Sequence, residues 1–248
     1  MIHFFRKIRR QLLRENRFTR YLLYALGEIF LVVVGILIAL EVNNMNERNK
    51  SRDQLSTNLS KIKRELKMNI KTLEFQEKVN DTLIEKLKES LIILKSNQGD
   101  SLKMLESRIG ALGTDYTIQL QMPHSESLMS RMELLNQSTD SLGFYLIGTR
   151  YYLNAVAESN RYVHDQYANS IEPYFHNHIN YSDVALDQHK NYLIEGGPKT
   201  DFTALDDNMY LWNLITFKLE TVSAQRDLIR NILGLFEQFL EYLSDSSA

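Results

Sequence analysis

Residues capable of chemistry gather in two places. His164, His176, His178 and His189, four of the six histidines, are interleaved with Asp165, Glu172, Asp183 and Asp187. Imidazole with carboxylate is a donor set for a divalent cation, and His176-x-His178 is its tightest spacing. No HExxH or comparable ligand spacing accompanies them. The set therefore reads equally as solvated histidines near a loop or as a pH-responsive surface. No metal site is predicted, His176 and His178 being only weak candidates, and no cofactor is implied. Tyr162, Tyr167, Tyr174, Tyr181 and Tyr192 run through the same stretch. They could line an amphipathic pocket or fill an ordinary helical core.

The second place is Glu28, inside the apolar run YLLYALGEIFLVVVGILIAL of residues 21–40. A carboxyl in hydrocarbon is costly unless it is protonated, hydrated or paired. Gly35 falls on the same helical face, Ala39 completes a small-xxx-small pair with it, and Ala25 and Gly27 thin the helix further, so a second helix can approach closely. Glu28 is thus a neutral hydrogen-bonding group at a helix interface, an acid snorkelling to the basic membrane surface, or a proton site. Nucleophile and phosphate motifs are missing: there is no Walker loop, GxGxxG, GxSxG or HExxH, and no cysteine to supply a thiolate. No catalytic residue and no enzymatic activity are inferred.

These groups are positioned by helices. The run of residues 21–40 matches the roughly 30 Å of a bilayer's hydrocarbon at 1.5 Å per residue. It is too long for the core of a cleavable signal, and Glu41, Val42, Asn43 and Asn44 follow it rather than a small-residue cleavage site, so it is expected to remain as a signal-anchor. Seven basic residues precede it (Arg6, Lys7, Arg9, Arg10, Arg14, Arg17 and Arg20), against Arg48, Lys50 and Arg52 just beyond it. The positive-inside rule then puts the N-terminus in the cytoplasm. The expected organisation is a basic cytoplasmic segment over residues 1–20, a transmembrane helix over 21–42 and a helical extracytoplasmic domain over 43–248. Ile2, Phe4, Phe5, Ile8, Leu12 and Leu13 recur at helical spacing among the bases, which reads as an amphipathic helix on lipid headgroups or equally as a flexible basic stop that sets topology, rather than as a nucleic-acid segment. Beyond residue 42 the chain holds 22 basic and 28 acidic side chains, too weak a field to select a charged partner.

Three prolines and ten glycines leave long uninterrupted segments, and the predicted class is all-α, a helical bundle with two long helices. On the first, Leu55, Leu59, Ile62, Leu66, Leu73, Leu83, Leu87 and Leu94 follow a coiled-coil track whose remaining positions are Asn69, Gln76, Asn80 and Ser90. Those four are read as partly exposed rather than as layers that fix register. A short second helix is expected over residues 102–112. The alternating apolar residues of 116–123 could pass for a brief strand. A helix starting at Ser141 should end near Ile171, broken or kinked by Pro173. The last helix, residues 205–243, carries Trp212, Ile215, Leu219, Val222, Ile229, Leu233, Phe236, Leu240 and Leu243 in steps of three and four, with Arg226 in the gap. A widened apolar stripe suits burial against more than one neighbour.

The N-terminal residues FFRKIRRQLLRENRFTRYLLYALGEIFLVVVGILIALEVNNMNE resemble the opening of an uncharacterised domain-of-unknown-function family of single-span proteins from Gram-negative bacteria. The basic FRKIR, the LLYALGEI and GILIAL runs and the closing asparagine pair carry the likeness, while Met45 stands where that family has tryptophan. The resemblance implies an inner-membrane anchor with a helical periplasmic domain and supplies no catalytic residues. The function expected from the whole is a non-catalytic interaction or scaffold module, a homo-oligomer or bound to a membrane-protein partner. The alternatives are a periplasmic ligand-sensing bundle relaying through a partner, or a stator-like accessory subunit using Glu28.

Overall fold

The computed structural model describes residues 17–96, 99–134, 141–194 and 196–245. The amphipathic segment expected before residue 17, the turn at Asn97 and Gln98, and the polar run 136–140 lie outside them. Helix α1 is Arg17–Ser96. Helix α2 (Gly99–Leu102) leads into 3-10 turns at Lys103–Ser107 and Ile109–Ala111. After an irregular linker come α3 (Pro123–Leu134), α4 (Ser141–Gln166), a π turn (Tyr167–Ile171) and α5 (Glu172–His178). The short α6 (Tyr181–Val184) and α7 (Asp187–Lys190), a 3-10 turn at Phe202–Leu205, and α8 (Met209–Asp245) complete the chain. The described residues form helices and irregular segments, with no strand among them.

The chain divides into two compact units, Met1–Thr57 and Asn58–Ala248. In the first, α1 is long and apolar enough to cross a membrane, and Leu26, Ile29, Phe30, Leu31, Ile36 and Leu37 are all exposed. Leu55, still in the first unit, is exposed, and in the second the same helix buries Ile62, Leu66, Leu73, Leu83 and Leu87 completely or nearly so. The second unit has two apolar cores. One joins Leu83, Leu87 and Ile93 of α1 to Leu105, Ile109, Ile171, Phe175, Leu211 and Ile215. The other joins Ile62, Leu66 and Leu73 to Ile118, Met122, Leu142, Leu146, Ile229, Phe236 and Phe239. Ion pairs flank them: Arg230 Nε lies 2.5 Å from Glu77 Oε1, and Arg226 Nη1 lies 3.7 Å from Asp81 Oδ1.

Three expectations change. Pro173 does not end the fourth helix, because one π turn, closed by Glu172 N–H donating to Tyr167 O, carries the chain into α5 with Pro173 in its first turn, where a missing N–H costs nothing. The buried face of α8 keeps Ile215, Val222, Ile229, Leu233, Phe236 and Leu243 of the expected track but adds Leu211, Leu214, Lys218, Thr221 and Gln225 and leaves Trp212 exposed, and Arg226 lies beside it facing Asp81. The second helix is a single α turn followed by 3-10 turns, the second of which packs Gly110 closely against the Val184 carbonyl.

Helix α3 borrows its cap from α1. Glu65 Oε1 accepts from His124 N–H at 2.6 Å, and Oε2 accepts from Ser125 N–H and Ser125 Oγ, both at 3.2 Å. These are first-turn donors that no helix can satisfy internally, and a carboxylate there also meets the positive end of the helix dipole. Glu65→Gln keeps the shape but turns an N–H towards those donors. It is expected to cost about 1–2 kcal/mol, measured by urea denaturation with Trp212 emission as the probe.

Candidate functional site

The linker of residues 114–122 crosses the second unit between the two cores, and its backbone is held by side chains. Asn160 pairs with both polar groups of Ile118: Ile118 N–H donates to Oδ1 at 2.8 Å and Nδ2 donates to Ile118 O at 2.9 Å. Asn69 does the same for Gln121, donating to its carbonyl at 2.9 Å and accepting from its N–H at 3.2 Å. Gln76 donates to Thr117 O and accepts from Gln119 N–H, both at 3.1 Å. Gln225 Nε2 donates to Tyr116 O at 3.1 Å. A side-chain amide offers the donor and acceptor of a peptide group, so these residues replace the neighbouring strands that an extended segment would otherwise need. The alternation foreseen in 116–123 is present, with Ile118 and Met122 buried and Gln119 and Gln121 exposed, but the segment pairs with amides instead of a sheet. The polar positions of the α1 track are likewise corrected. Asn69, Asn80 and Ser90 are buried and Gln76 is half-buried.

Lys218 closes the layer from α8. It is 1% exposed, and its Nζ donates to Thr114 O at 2.5 Å. Burial pulls its ammonium down to about 8, and the charge of Asp115 opposes that pull. Beside it, Gln166 Nε2 donates to Thr221 Oγ1 at 3.2 Å and leaves its Oε1 buried without a partner.

A cleft of about 710 Å³ opens at this level, lined among others by Phe75, Asn80, Asp115, Tyr116, Tyr192 and Gln225. Tyr116 and His189 in one wall, with Tyr181 behind them, form a relay. Tyr116 Oη lies 2.7 Å from His189 Nε2, and Tyr181 Oη lies 3.1 Å from His189 Nδ1. Gln188 Nε2 donates to the Tyr116 hydroxyl, whose own proton is then directed to Nε2, leaving Nδ1–H to donate to Tyr181. Burial raises the pKa of both phenols, opposed at Tyr116 by the Gln188 hydrogen bond and supported by nearby acidic groups, so both stay protonated at neutral pH. With both ring nitrogens occupied, His189 fastens α7 to the linker.

The other predicted residues lie elsewhere. His176 faces Glu172 at 3.9 Å, and the His178 ring packs on Tyr174 with centroids 4.5 Å apart. Among the described residues no group of three or more His, Asp or Glu could hold a metal ion. Tyr174, packed also against Tyr210, has its pKa raised to about 12 by burial. Glu28 and Ala39 are exposed in the first unit, and a Cβ added at Gly27 or Gly35 would meet nothing within 4 Å. Of the tyrosines read as able to line a pocket, Tyr192 lines the cleft, whereas the amides of its wall were not foreseen. The signal available was the coincidence of amides on the α1 track with an alternating segment that had no partner strand.

The Girdin homolog of Caenorhabditis elegans is 29% identical to this chain over 111 residues, 45% of this chain and 8% of that protein's length. No solved structure matches. The family of unknown function DUF6090 matches residues 28–213, which includes α1 from Glu28 onwards, the linker, the relay and the start of α8, and the chain belongs to that family.

Proposed function

We propose that this protein is a single-pass, membrane-anchored recognition module of the bacterial inner membrane. Its N-terminus is cytoplasmic, its second unit lies in the periplasm as a helical bundle, and it catalyses no reaction of its own. One observation carries the reading: α1 leaves its apolar residues from Leu26 to Leu40 exposed, Val34 alone being half-buried, and, within the same helix, buries Ile62, Leu66 and Leu73. A helix of that pattern has lipid as the solvent of one part and a protein core as the solvent of the other. The open faces of Gly27 and Gly35 support association with a second span, either another copy or a membrane partner. The cleft supports recognition of a ligand. Phe144, Ile147 and Tyr151, exposed at i, i+3 and i+7 of α4, favour protein docking as a second reading.

Because the chain has no cysteine, single cysteines at Gln11, Ser51 and Ser246 report topology cleanly. With a thiol reagent that cannot cross the inner membrane, the cysteines at 51 and 246 are expected to label in intact cells and the one at 11 only after lysis. The reverse pattern would overturn the orientation.

A further inference from the structure

The chemistry of the cleft narrows what it takes. Asn80, in its wall, is only 5% exposed, yet its amide makes no hydrogen bond with the described residues. Gln225, 3% exposed, uses its Nε2 on Tyr116 O and has no donor at its Oε1. Both residues are largely buried and turn their open hydrogen-bonding capacity to the cleft, where solvent or a bound molecule completes it. Such a molecule must both donate and accept, since Asn80 offers both functions and Gln225 offers an acceptor.

Charge favours a neutral ligand. The lining holds neither lysine nor arginine, so an anion has no counterion there. Its one acid, Asp115, is in electrostatic reach of the buried Lys218, so a cation meets a nearly balanced pair. Apolar faces are present as well: Phe75 and Tyr192 line the cleft with rings exposed at 67% and 87%. Aromatic faces beside amides suit a ligand with hydroxyls on its edge and C–H groups on its faces. The volume lies in the upper part of the range for small-molecule pockets and exceeds the needs of a single sugar ring.

We propose that the cleft between the two cores binds a neutral oligosaccharide, Asn80 and Gln225 meeting its hydroxyls and Phe75 and Tyr192 stacking on its rings. This rests on the recognition reading above and gives that reading a ligand class.

The test uses the full chain in lipid nanodiscs, because maltoside and glucoside detergents would compete. Maltotriose, cellotriose and N-acetylated chitotriose are the neutral probes. Trigalacturonate, deacetylated chitotriose and a set of apolar fragments are run in parallel by saturation-transfer NMR and titration calorimetry. At least one neutral trisaccharide is expected to bind, and Tyr192→Ala and Asn80→Leu are each expected to weaken it about tenfold. Tyr192 is almost wholly exposed, so its truncation leaves the fold intact even where Asn80→Leu does not. Binding of charged or apolar probes alone, lost in Tyr192→Ala, would overturn the saccharide assignment and leave ligand recognition standing. Silence from every class, or saccharide binding indifferent to Tyr192→Ala, would overturn the saccharide site. Silence would also remove the cleft's support for recognition.

Discussion

Gly110→Ala is expected to destabilise the second unit by about 3 kcal/mol or more, the upper end of the usual cost of overpacking a core. Gly110 is buried in the 3-10 turn Ile109–Ala111, and a Cβ built there falls 2.0 Å from the carbonyl oxygen of Val184 and 3.0 Å from its carbonyl carbon. Those are backbone atoms at the end of α6, so no rotamer change relieves the overlap. The chain of 179–185 would have to move off the core that contains Ile109, Leu112, Ile179 and Val184. Gly234→Ala is the matched control. Its Cβ meets nothing within 4 Å, and the residue lies inside α8, where alanine is favoured over glycine by about 0.5–1 kcal/mol. The two variants are expected to shift the urea midpoint in opposite directions. A Gly110→Ala protein as stable as the parent would show that the turn and α6 are not in contact in solution.

Between about pH 8 and pH 10 the protein is expected to grow more stable, and Lys218→Met is expected to abolish the rise. Burial lowers the Lys218 ammonium to about 8, whereas an unfolded lysine keeps its proton to about 10.4. Over that interval the unfolded chain binds more protons than the folded one, so the free energy of unfolding increases with pH. Below the folded value both states are protonated and the slope vanishes. The full difference corresponds to about 3 kcal/mol. Above pH 10 the phenols act in the opposite sense. Tyr116, Tyr167, Tyr174 and Tyr181 have pKa values raised mainly by burial, so there the folded state holds more protons and stability falls. Stability should therefore peak near pH 10 in the parent. At pH 7, Lys218→Met is expected to be no less stable than the parent, because it removes a buried charge even though Thr114 O loses its donor. Urea titrations at pH 7, 8, 9 and 10, with the single Trp212 as probe, give both slopes. Parallel slopes for parent and variant would mean that Lys218 titrates as an exposed lysine.

Much of the architecture was legible because it depends on local pattern. The apolar run of residues 21–40 is read against the thickness of a bilayer, which needs no tertiary information. Sparse proline and glycine announced the helices, and the leucines from Leu59 onwards marked the side of α1 that is buried. The helix through Pro173 was not legible, since a π turn is a register shift that no single residue type signals. On α8 the apolar part of the buried face was legible, from Ile215 to Leu243, but Lys218 and Gln225 were not, because a buried lysine and glutamine break the apolar rule used to find it.

The sequence by itself determined the helical class and the one segment apolar enough for lipid, since periodicity and hydropathy are properties of neighbours along the chain. Only the tertiary structure decided the site. Asn69, Gln76 and Asn80 of α1, Asn160 of α4, and Lys218 and Gln225 of α8 come from three helices far apart in sequence, and each alone is an ordinary polar residue on a helix. Their meaning comes from the linker of residues 114–122, whose N–H and C=O groups enter the space between two cores and must find partners there. That demand is set by burial, a property of the folded chain, and it turns scattered amides into a clamp while leaving Asn80 open to a ligand.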